Sequence, residues 1–186
     1  MNADFPVVLD ACVLANQRVT DLLLRLSETP RLFLPKWSGR ILEEVDKTLV
    51  EKLGWPDSLA AYRRQQMTNH FGEALVEGFE PIESCLENDP KDRHVLAAAI
   101  SAKCEIIVTF NLKHFPADAL NPWGIEAHHP SKFLENLYSL NQGLVVQRLN
   151  DIGAVLEKTT AEVISELSVH VRPFAIQVAT DIGFEV

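Results

Sequence analysis

The chain has 186 residues, of which 47% are hydrophobic, and its 17 Lys and Arg against 26 Asp and Glu give a formal net charge of −9. A chain of this length and apolar content can bury a substantial core in one domain of ordinary size. The acidic balance argues against a protein that holds nucleic acid on a broad basic face, so any such contact must be local.

The three cysteines, Cys12, Cys85 and Cys104, are odd in number and widely spaced. They therefore predict neither a disulfide framework nor a metal-ligand spacing. No charged segment followed by an apolar run opens the chain, and no apolar run is long enough to span a bilayer. We expect reduced thiols, a cytoplasmic location and no contact with a membrane.

The first predicted element is a short buried strand, Val7 to Leu9, which Asp10 follows directly. A β-branched apolar run of this kind is typical of a parallel sheet, and ligands bind at the carboxyl ends of such strands. An ionised Asp beside buried apolar residues is costly unless it is paired, hydrogen-bonded or bound to a cation. Asp10 is therefore either a cation ligand or the N-cap of a helix that starts near Cys12.

A leucine-rich helix is predicted over 21–26, and a second short strand over 32–34, which Pro35 closes. Short basic clusters on this and later segments are the candidates for local contacts with phosphate. These clusters contain Arg31, Lys36 and Arg40, then Arg63 and Arg64, and finally Lys113 and His114.

The next helix begins after Ser38, a favourable N-cap, and ends at Gly54. Glu43 and Glu44 flank its apolar stripe on opposite sides, and periodicity alone does not decide which of them faces the sheet. A further helical stretch is predicted over 57–77.

An extended link over 78–82 leads to the most informative run, Asn-Asp-Pro-Lys-Asp-Arg-His-Val-Leu-Ala-Ala-Ala-Ile. Pro90 suits the first position of a helix with Asp89 as its N-cap, and Asp89 and Asp92 have the spacing of a capping box. Asp92 then lies in the first turn, where the helix dipole stabilises a carboxylate. Helix capping and a functional role are both open for Asp92.

A second buried strand is predicted over 105–108 and ends at Thr109, Phe110 and Asn111. The order strand, helix, strand predicts a parallel sheet. A last short strand is predicted over 124–127.

The pattern from residue 131 onward is helical and contains no metal-ligand cluster. Its apolar stripes predict helices over 131–140, 141–156 and 159–171. We therefore predict an α/β domain over 1–130 and a C-terminal helical extension over 131–186 that serves for packing or for binding a partner.

Three carboxylates are expected at or near the rim of the sheet: Asp10, one of Glu43 or Glu44, and Asp92. Mg²⁺ and Mn²⁺ bind through a few carboxylates together with substrate phosphates, and such a site activates water against a phosphodiester. The chain has no Gly-x-Ser-x-Gly elbow, no P-loop and no His-x-x-x-His pair. The pattern therefore favours metal-dependent hydrolysis without a covalent intermediate.

Four marks in this order resemble the PIN-domain ribonucleases, which include the VapC-type toxins of bacterial toxin–antitoxin pairs. They are Val-Val-Leu-Asp-Ala-Cys-Val-Leu with Asp10, Ser-Gly-Arg-Ile-Leu-Glu-Glu-Val with Glu44, Asp-Pro-Lys-Asp-Arg-His-Val-Leu-Ala-Ala-Ala with Asp92, and Ile-Val-Thr-Phe-Asn with Thr109 and Asn111. The resemblance covers residues 7 to about 130. It implies an α/β fold, a three-layer α/β/α sandwich around a central parallel sheet, to which this chain adds C-terminal helices. It also favours Glu44 over Glu43.

The resemblance implies a metal-dependent endoribonuclease that acts as the toxin of a type II toxin–antitoxin pair. Mg²⁺ or Mn²⁺ would be held by Asp10, Glu44 and Asp92, with Thr109 and Asn111 assisting. The implied partners are an RNA substrate and a cognate antitoxin protein, and a homodimer is compatible with the resemblance.

Two departures from the family pattern affect these expectations. Asn111 stands where the family often has a fourth Asp, and its neutral amide oxygen binds a cation less strongly, so a second metal is not implied. Ala11 and Cys12 stand where the family often has Ser or Thr and a polar partner, so a hydroxyl beside Asp10 is missing. Asp89 could compensate in part, although helix capping is the first expectation for it.

Two alternatives remain. A catalytically weak or silent PIN-fold interaction module is compatible with Asn111, the acidic charge and the helical tail. A phosphatase of the haloacid-dehalogenase type also begins with an Asp after an apolar strand, but it needs a second Asp where this chain has Cys12.

Overall fold

The structure, a computed structural model, describes residues 3–184. Its strands are β1 (Pro6–Leu9), β2 (Leu34–Ser38), β3 (Leu75–Val76), β4 (Ile106–Val108) and β5 (Glu126–His128). They form one parallel sheet in the order β3-β2-β1-β4-β5. β1 lies at the centre, where Val7 pairs with Pro35 of β2 on one side and with Ile106 of β4 on the other.

The helices flank this sheet. They are α1 (Ala11–Leu14), α2 (Gln17–Leu26), α3 (Gly39–Lys47), α4 (Asp57–His70), α5 (Arg93–Ser101), α6 (Ala117–Leu120), α7 (Pro130–Leu140), α8 (Gln142–Leu156) and α9 (Thr160–Ile182). A π-helical turn, Thr48–Lys52, extends α3, and short 3₁₀ segments lie at Glu80–Cys85, Leu112–His114 and Asn121–Trp123. As predicted, the Ser38 side chain caps α3 by accepting from the Ile41 N–H at 3.2 Å.

The strand order places the topological switch point of the sheet between β1 and β4. The chain moves outward from β1 to β2 and β3, returns through α5, and continues on the other side of β1 with β4 and β5. Right-handed crossovers in opposite directions put their helices on opposite faces of the sheet, which gives three layers. The predicted three-layer α/β/α class is thereby confirmed, and the carboxyl ends of β1 and β4 are the expected place for a ligand.

The C-terminal helices pack against the α/β unit. The rings of Phe33 and Phe133 meet edge to face with centroids 5.1 Å apart, and α2 contacts both α8 and α9. Arg18 of α2 also forms an ion pair with Glu166 of α9 at 2.9 Å. One hydrophobic cluster therefore includes side chains from both regions. The division into domains at residue 130 stays a prediction.

The predicted position of β2 was wrong, because the strand continues through Pro35 instead of ending there. Proline cannot donate to a sheet, so it needs a position whose N–H has no partner strand. The Trp37 N–H points toward β3 and donates to Ala74 O at 3.0 Å. Pro35, two residues earlier, faces the same side, ahead of the start of β3 at Leu75. The missing N–H therefore interrupts no ladder.

The helix predicted over 57–77 ends early, at His70, and the chain then forms β3. Residues 80–85 are a 3₁₀ segment where the sequence predicted part of an extended link. β3 has two residues and lies at the edge of the sheet, so it is too short to show the alternation that identifies a strand. Short edge strands of this kind also limit unwanted pairing with other chains.

α9 continues to Ile182, beyond its predicted end at Val171, but it bends there. Val171 has φ −132° and ψ 52°, and Pro173 cannot supply a helical N–H. The Phe174 N–H donates instead to Ser131 Oγ of α7 at 3.0 Å. Although α9 has 23 residues, no helix within residues 3–184 combines the length and hydropathy that crossing a bilayer requires.

We expect the variant Ser131→Ala to lower the free energy of unfolding by about 1–3 kcal/mol, because the buried Phe174 N–H would lose its acceptor. Urea denaturation measures this change. Ser139→Ala on the same helix is the matched control, because the Ser139 hydroxyl is exposed and bonds only to a carbonyl four residues earlier. Equal losses in the two variants would contradict the role given to Ser131.

Candidate active site

The site is built on the switch point, where β1 and β4 end side by side. Leu9 pairs with Val108, and Asp10, which directly follows β1, donates its N–H to Val108 O at 3.0 Å. Asp10 then leaves the strand and starts α1, with its Oδ1 accepting from the Ala11 N–H at 2.6 Å. Asp10 is therefore an N-cap, as one of the two interpretations predicted.

Asp10 is only 3% exposed. Capping uses one of its two carboxylate oxygens. Oδ2 accepts a hydrogen bond from the Thr109 hydroxyl at 2.6 Å and one from the Cys12 thiol at 3.1 Å. The Asn111 N–H donates to Thr109 Oγ1 at 3.0 Å, which leaves the Thr109 proton directed at Asp10. The structure thus brings Asp10, Thr109 and the Asn111 backbone together, and it shows that the Asp10 carboxylate also interacts across the sheet.

Cys12 supplies a donor where the sequence indicated that one was missing. Its sulfur accepts from the Phe110 N–H at 3.3 Å while its S–H faces Asp10. Burial, reinforced by the negative charge of Asp10, raises the pKa of the Cys12 thiol to about 12. The thiol is therefore protonated near neutral pH and remains a donor to the carboxylate.

The predicted cap at the start of α5 was wrong. The helix begins at Arg93, and residues 89–92 form a turn in which the Asp92 N–H donates to Asp89 O at 2.9 Å. The Asp89 side chain accepts from the Lys91 N–H at 3.0 Å. Asp and Pro are favoured at the first two positions of a turn, and here that preference overrides the capping box. Asp92 occupies the N-cap position but makes no capping hydrogen bond with its side chain.

The Asp92 carboxylate is bonded to His114 instead. His114 Nδ1 lies 2.6 Å from Asp92 Oδ2, and the 3₁₀ segment that carries His114 follows Asn111 after β4. Burial raises the pKa of Asp92, the hydrogen bond from His114 opposes that rise, and the negative charges of Asp10 and Asp89 add to it. Asp10 and Asp92 are therefore close enough to interact electrostatically.

Asp89, Asp92 and His114 each offer a ligand atom, and these atoms all lie within 4.8 Å of one another. Over residues 3–184 this is the only group of three such side chains that lies so close together. Two carboxylates and an imidazole suit a divalent cation. Burial first, and then the charges of Asp10 and Asp89, raise the pKa of Asp92, and a cation would compensate that negative charge. Of the predicted metal ligands, Asp92 belongs to this group, whereas Asp10 and Glu44 do not.

Glu44 lies on α3 and turns toward α5. Its Oε1 is 3.1 Å from Nε2 of His94, whereas Glu43 is exposed and lies 4.0 Å from Arg64 of α4. The two neighbouring glutamates thus face different helices. The predicted set of Asp10, Glu44 and Asp92 as metal ligands stays a prediction.

Most basic residues of the clusters noted in the sequence form hydrogen bonds or ion pairs with other groups of the chain. Arg63 donates to Leu14 O at the end of α1, and the other contacts are Arg31 with Asp4, Lys36 with Glu73 O, Arg40 with Glu83 and Arg64 with Asp46. Lys113 lies next to His114 at the site, on an exposed part of the 3₁₀ segment.

Sequence reasoning missed three side chains that hold the carboxylates: Cys12, His94 and His114. The periodicity of α5 could show that His94 is buried but not which acid it meets. His114 lies 22 residues from Asp92, so only the return of the chain along β4 brings the two together.

The fold and this group of side chains define a three-layer α/β/α protein with a candidate divalent-cation site at the switch point of its sheet. The family model of the PIN domain matches residues 4–113, which is more than half of the chain. The chain therefore belongs to the PIN domain family, as its motifs predicted. The match includes β1 to β4, whereas α7 to α9 lie outside it.

One curated relative is the protein named "Putative ribonuclease VapC50" of Mycobacterium tuberculosis (strain ATCC 25618 / H37Rv). It is 44% identical over 88 residues, which are 47% of this chain and 50% of the relative. The chain thus spans about half the length of the curated relative it matches. No solved structure matches the chain significantly.

We expect Cys12 and Cys104 to resist alkylation by iodoacetamide at pH 8, because burial raises the pKa of both thiols to about 12. Cys85 is exposed and should react first. Peptide mass spectrometry over a time course measures the three rates, and Cys85→Ser should remove the fast phase. Labelling of Cys12 as rapid as that of Cys85 would contradict the hydrogen-bonded arrangement.

A second expectation concerns Asp92 without metal. The folded chain holds the Asp92 proton more tightly than the unfolded chain, so ionising this carboxyl lowers stability. The protonated Asp92 carboxyl therefore contributes its full stabilisation below the ordinary pKa of 3.8. This stabilisation is lost as the pH rises through the raised pKa of the folded state. Asp92→Asn should raise the Tm in EDTA at pH 7, and the gain should shrink toward pH 4.

Scanning calorimetry across that pH range tests this expectation. Glu87→Gln is the control, because Glu87 is an exposed acid of the segment that precedes Asp92. A lower Tm of Asp92→Asn at pH 7 would show that the bond to His114 outweighs burial and repulsion.

Proposed function

We propose that the chain is a metal-dependent endoribonuclease that hydrolyses RNA phosphodiester bonds and acts as the toxin of a type II toxin–antitoxin pair. One observation carries the proposal: ligand atoms of Asp89, Asp92 and His114 lie within 4.8 Å of one another near the switch point of the sheet, and this group suits a divalent cation. The family and the name of the relative support the same activity.

Asp10, Glu44 and Asp92 would hold the cation, which is Mg²⁺ or Mn²⁺ in this proposal. Asp89 and His114 lie close enough to Asp92 to add ligands. When bound, the cation would supply an activated water for in-line attack on the phosphodiester and neutralise charge on the leaving oxygen.

The chain's own residues orient this site. Thr109 and Cys12 donate to the same oxygen of Asp10, so they fix the plane of its carboxylate. The Asn111 N–H orients the Thr109 hydroxyl. Because the Asn111 side chain is neutral, the proposal includes one cation at this position and no second one.

RNA is the proposed substrate in spite of the net charge of −9. A bound divalent cation would reduce the negative charge at the site, and Lys113 beside His114 offers a local contact for phosphate. A cognate antitoxin protein, a homodimer and a cytoplasmic location are parts of the same proposal. The role we propose for residues 131–186 is packing or partner binding.

The alternative, a PIN-fold interaction module with weak or no catalysis, is supported by Asp10. Both of its oxygens already accept hydrogen bonds, and the residue is almost fully buried. A carboxylate in this state can serve the fold alone.

We expect the purified protein to cleave a labelled single-stranded RNA in Mn²⁺ and to stop in EDTA. Asp92→Asn should lower the rate at least about 100-fold, since loss of a metal ligand should cost no less than loss of a residue that supports one. Gel analysis of the products measures both effects.

Glu43→Gln is the matched control, because it removes an acid next to Glu44 that faces α4. Cleavage that persists in EDTA or in Asp92→Asn would contradict the proposed site. No cleavage, together with no Mn²⁺ binding by calorimetry, would favour the interaction module.

A further inference from the structure

His94 is a fully buried histidine in the first turn of α5, two residues after Asp92. The residues that follow it, Val95 to Ala99, are apolar and buried. An imidazole in such surroundings is costly unless its polar atoms find partners. His94 therefore requires an explanation beyond packing.

The nearest charged atom to His94 is on Glu44. Nε2 lies 3.1 Å from Glu44 Oε1, but this contact lacks hydrogen-bond geometry, and over residues 3–184 neither ring nitrogen of His94 has a hydrogen-bond partner. A neutral imidazole has one N–H donor. Since a carboxylate only accepts, Glu44 can bind His94 only through the tautomer that carries its proton on Nε2.

This contact joins the two helices that carry predicted metal ligands. Glu44 is on α3 and Asp92 immediately precedes α5, and 50 residues separate Glu44 from His94. The Glu44 side chain is 40% exposed, so His94 holds it from the protein side while part of it faces solvent. A free glutamate side chain has several rotatable bonds, and ordering it for a cation costs conformational entropy.

We propose that His94 is a positioning residue that acts through Glu44. Its Nε2–H holds Oε1 and fixes the direction of the carboxylate, which leaves Oε2 available to a divalent cation. Donors that orient metal ligands in this way typically change metal affinity or activity 10–100-fold when they are removed. The inference rests on the proposed function, because it requires Glu44 to be a ligand.

The variants His94→Gln and His94→Leu test this role. The Gln side chain keeps an N–H donor and should retain most of the Mn²⁺ affinity, whereas Leu fills the space without a donor and should weaken Mn²⁺ binding about 10–100-fold. Titration calorimetry with MnCl₂ measures the affinity. His70→Leu is the matched control, because His70 lies 3.1 Å from Glu28 in an exposed ion pair on α4.

A double-mutant cycle separates positioning from general damage to the core. In the Glu44→Gln background, the additional change His94→Leu should leave the remaining Mn²⁺ affinity unchanged. A further loss in that background, or equal losses in His94→Gln and His94→Leu, would overturn the proposal.

The contact can also be tested without metal or RNA. In EDTA, ¹⁵N NMR of the imidazole should show His94 protonated on Nε2, and Glu44→Ala should shift that resonance. A proton on Nδ1 would overturn the inference. If the wild type bound no Mn²⁺ and cleaved no RNA while NMR showed the contact, the proposed function would fail, whereas failure of the contact alone would overturn only the role of His94.

Discussion

The structure depends on the placement of a desolvated carboxylate at the end of its central strand. Asp10 is almost fully buried, so each of its oxygens needs donors from the protein. Ala11 of α1 supplies one, and Thr109 and Cys12 supply the others. Because Thr109 belongs to the end of β4, the bond that satisfies Asp10 also joins the two strands at the switch point. Local structure and site geometry are set by the same hydrogen bonds.

A second constraint follows from the first, because the ends of parallel strands bring acids together. Burial raises the pKa of Asp92, and the negative charges of Asp10 and Asp89 add to that rise. His114 offsets part of this through a bond at 2.6 Å. A carboxylate such as Asp92, whose pKa folding raises, opposes folding at neutral pH and favours any cation that binds it. In the proposed function, the acids that lower stability without a cation are thus the ones that bind the cation.

The fold class was predictable from sequence because it depends on short-range patterns. Apolar runs at β1 and β4 identify a parallel sheet, and Asp10 follows directly from the first of them. The bounds of β2 were not predictable. Pro35 is tolerated in this strand only because the neighbouring strand β3 begins beyond the level of Pro35. The partner of Asp92 was not predictable either. Sequence spacing favoured a capping box over the local turn that forms at Asp89, and the return of the chain to His114 is decided by tertiary contacts.

The three predicted metal ligands share one feature that the sequence conceals, which is that each faces a side chain from a distant segment. Thr109 serves Asp10 across 99 residues, His94 faces Glu44, and His114 serves Asp92 across 22 residues. A neutral donor orients a carboxylate and leaves its charge in place, whereas a salt bridge to Arg would neutralise that charge. Arginines of the chain pair instead with acids elsewhere, such as Asp46 and Glu83. Because these arginines lie away from the site, the negative charge of its carboxylates remains available to a cation.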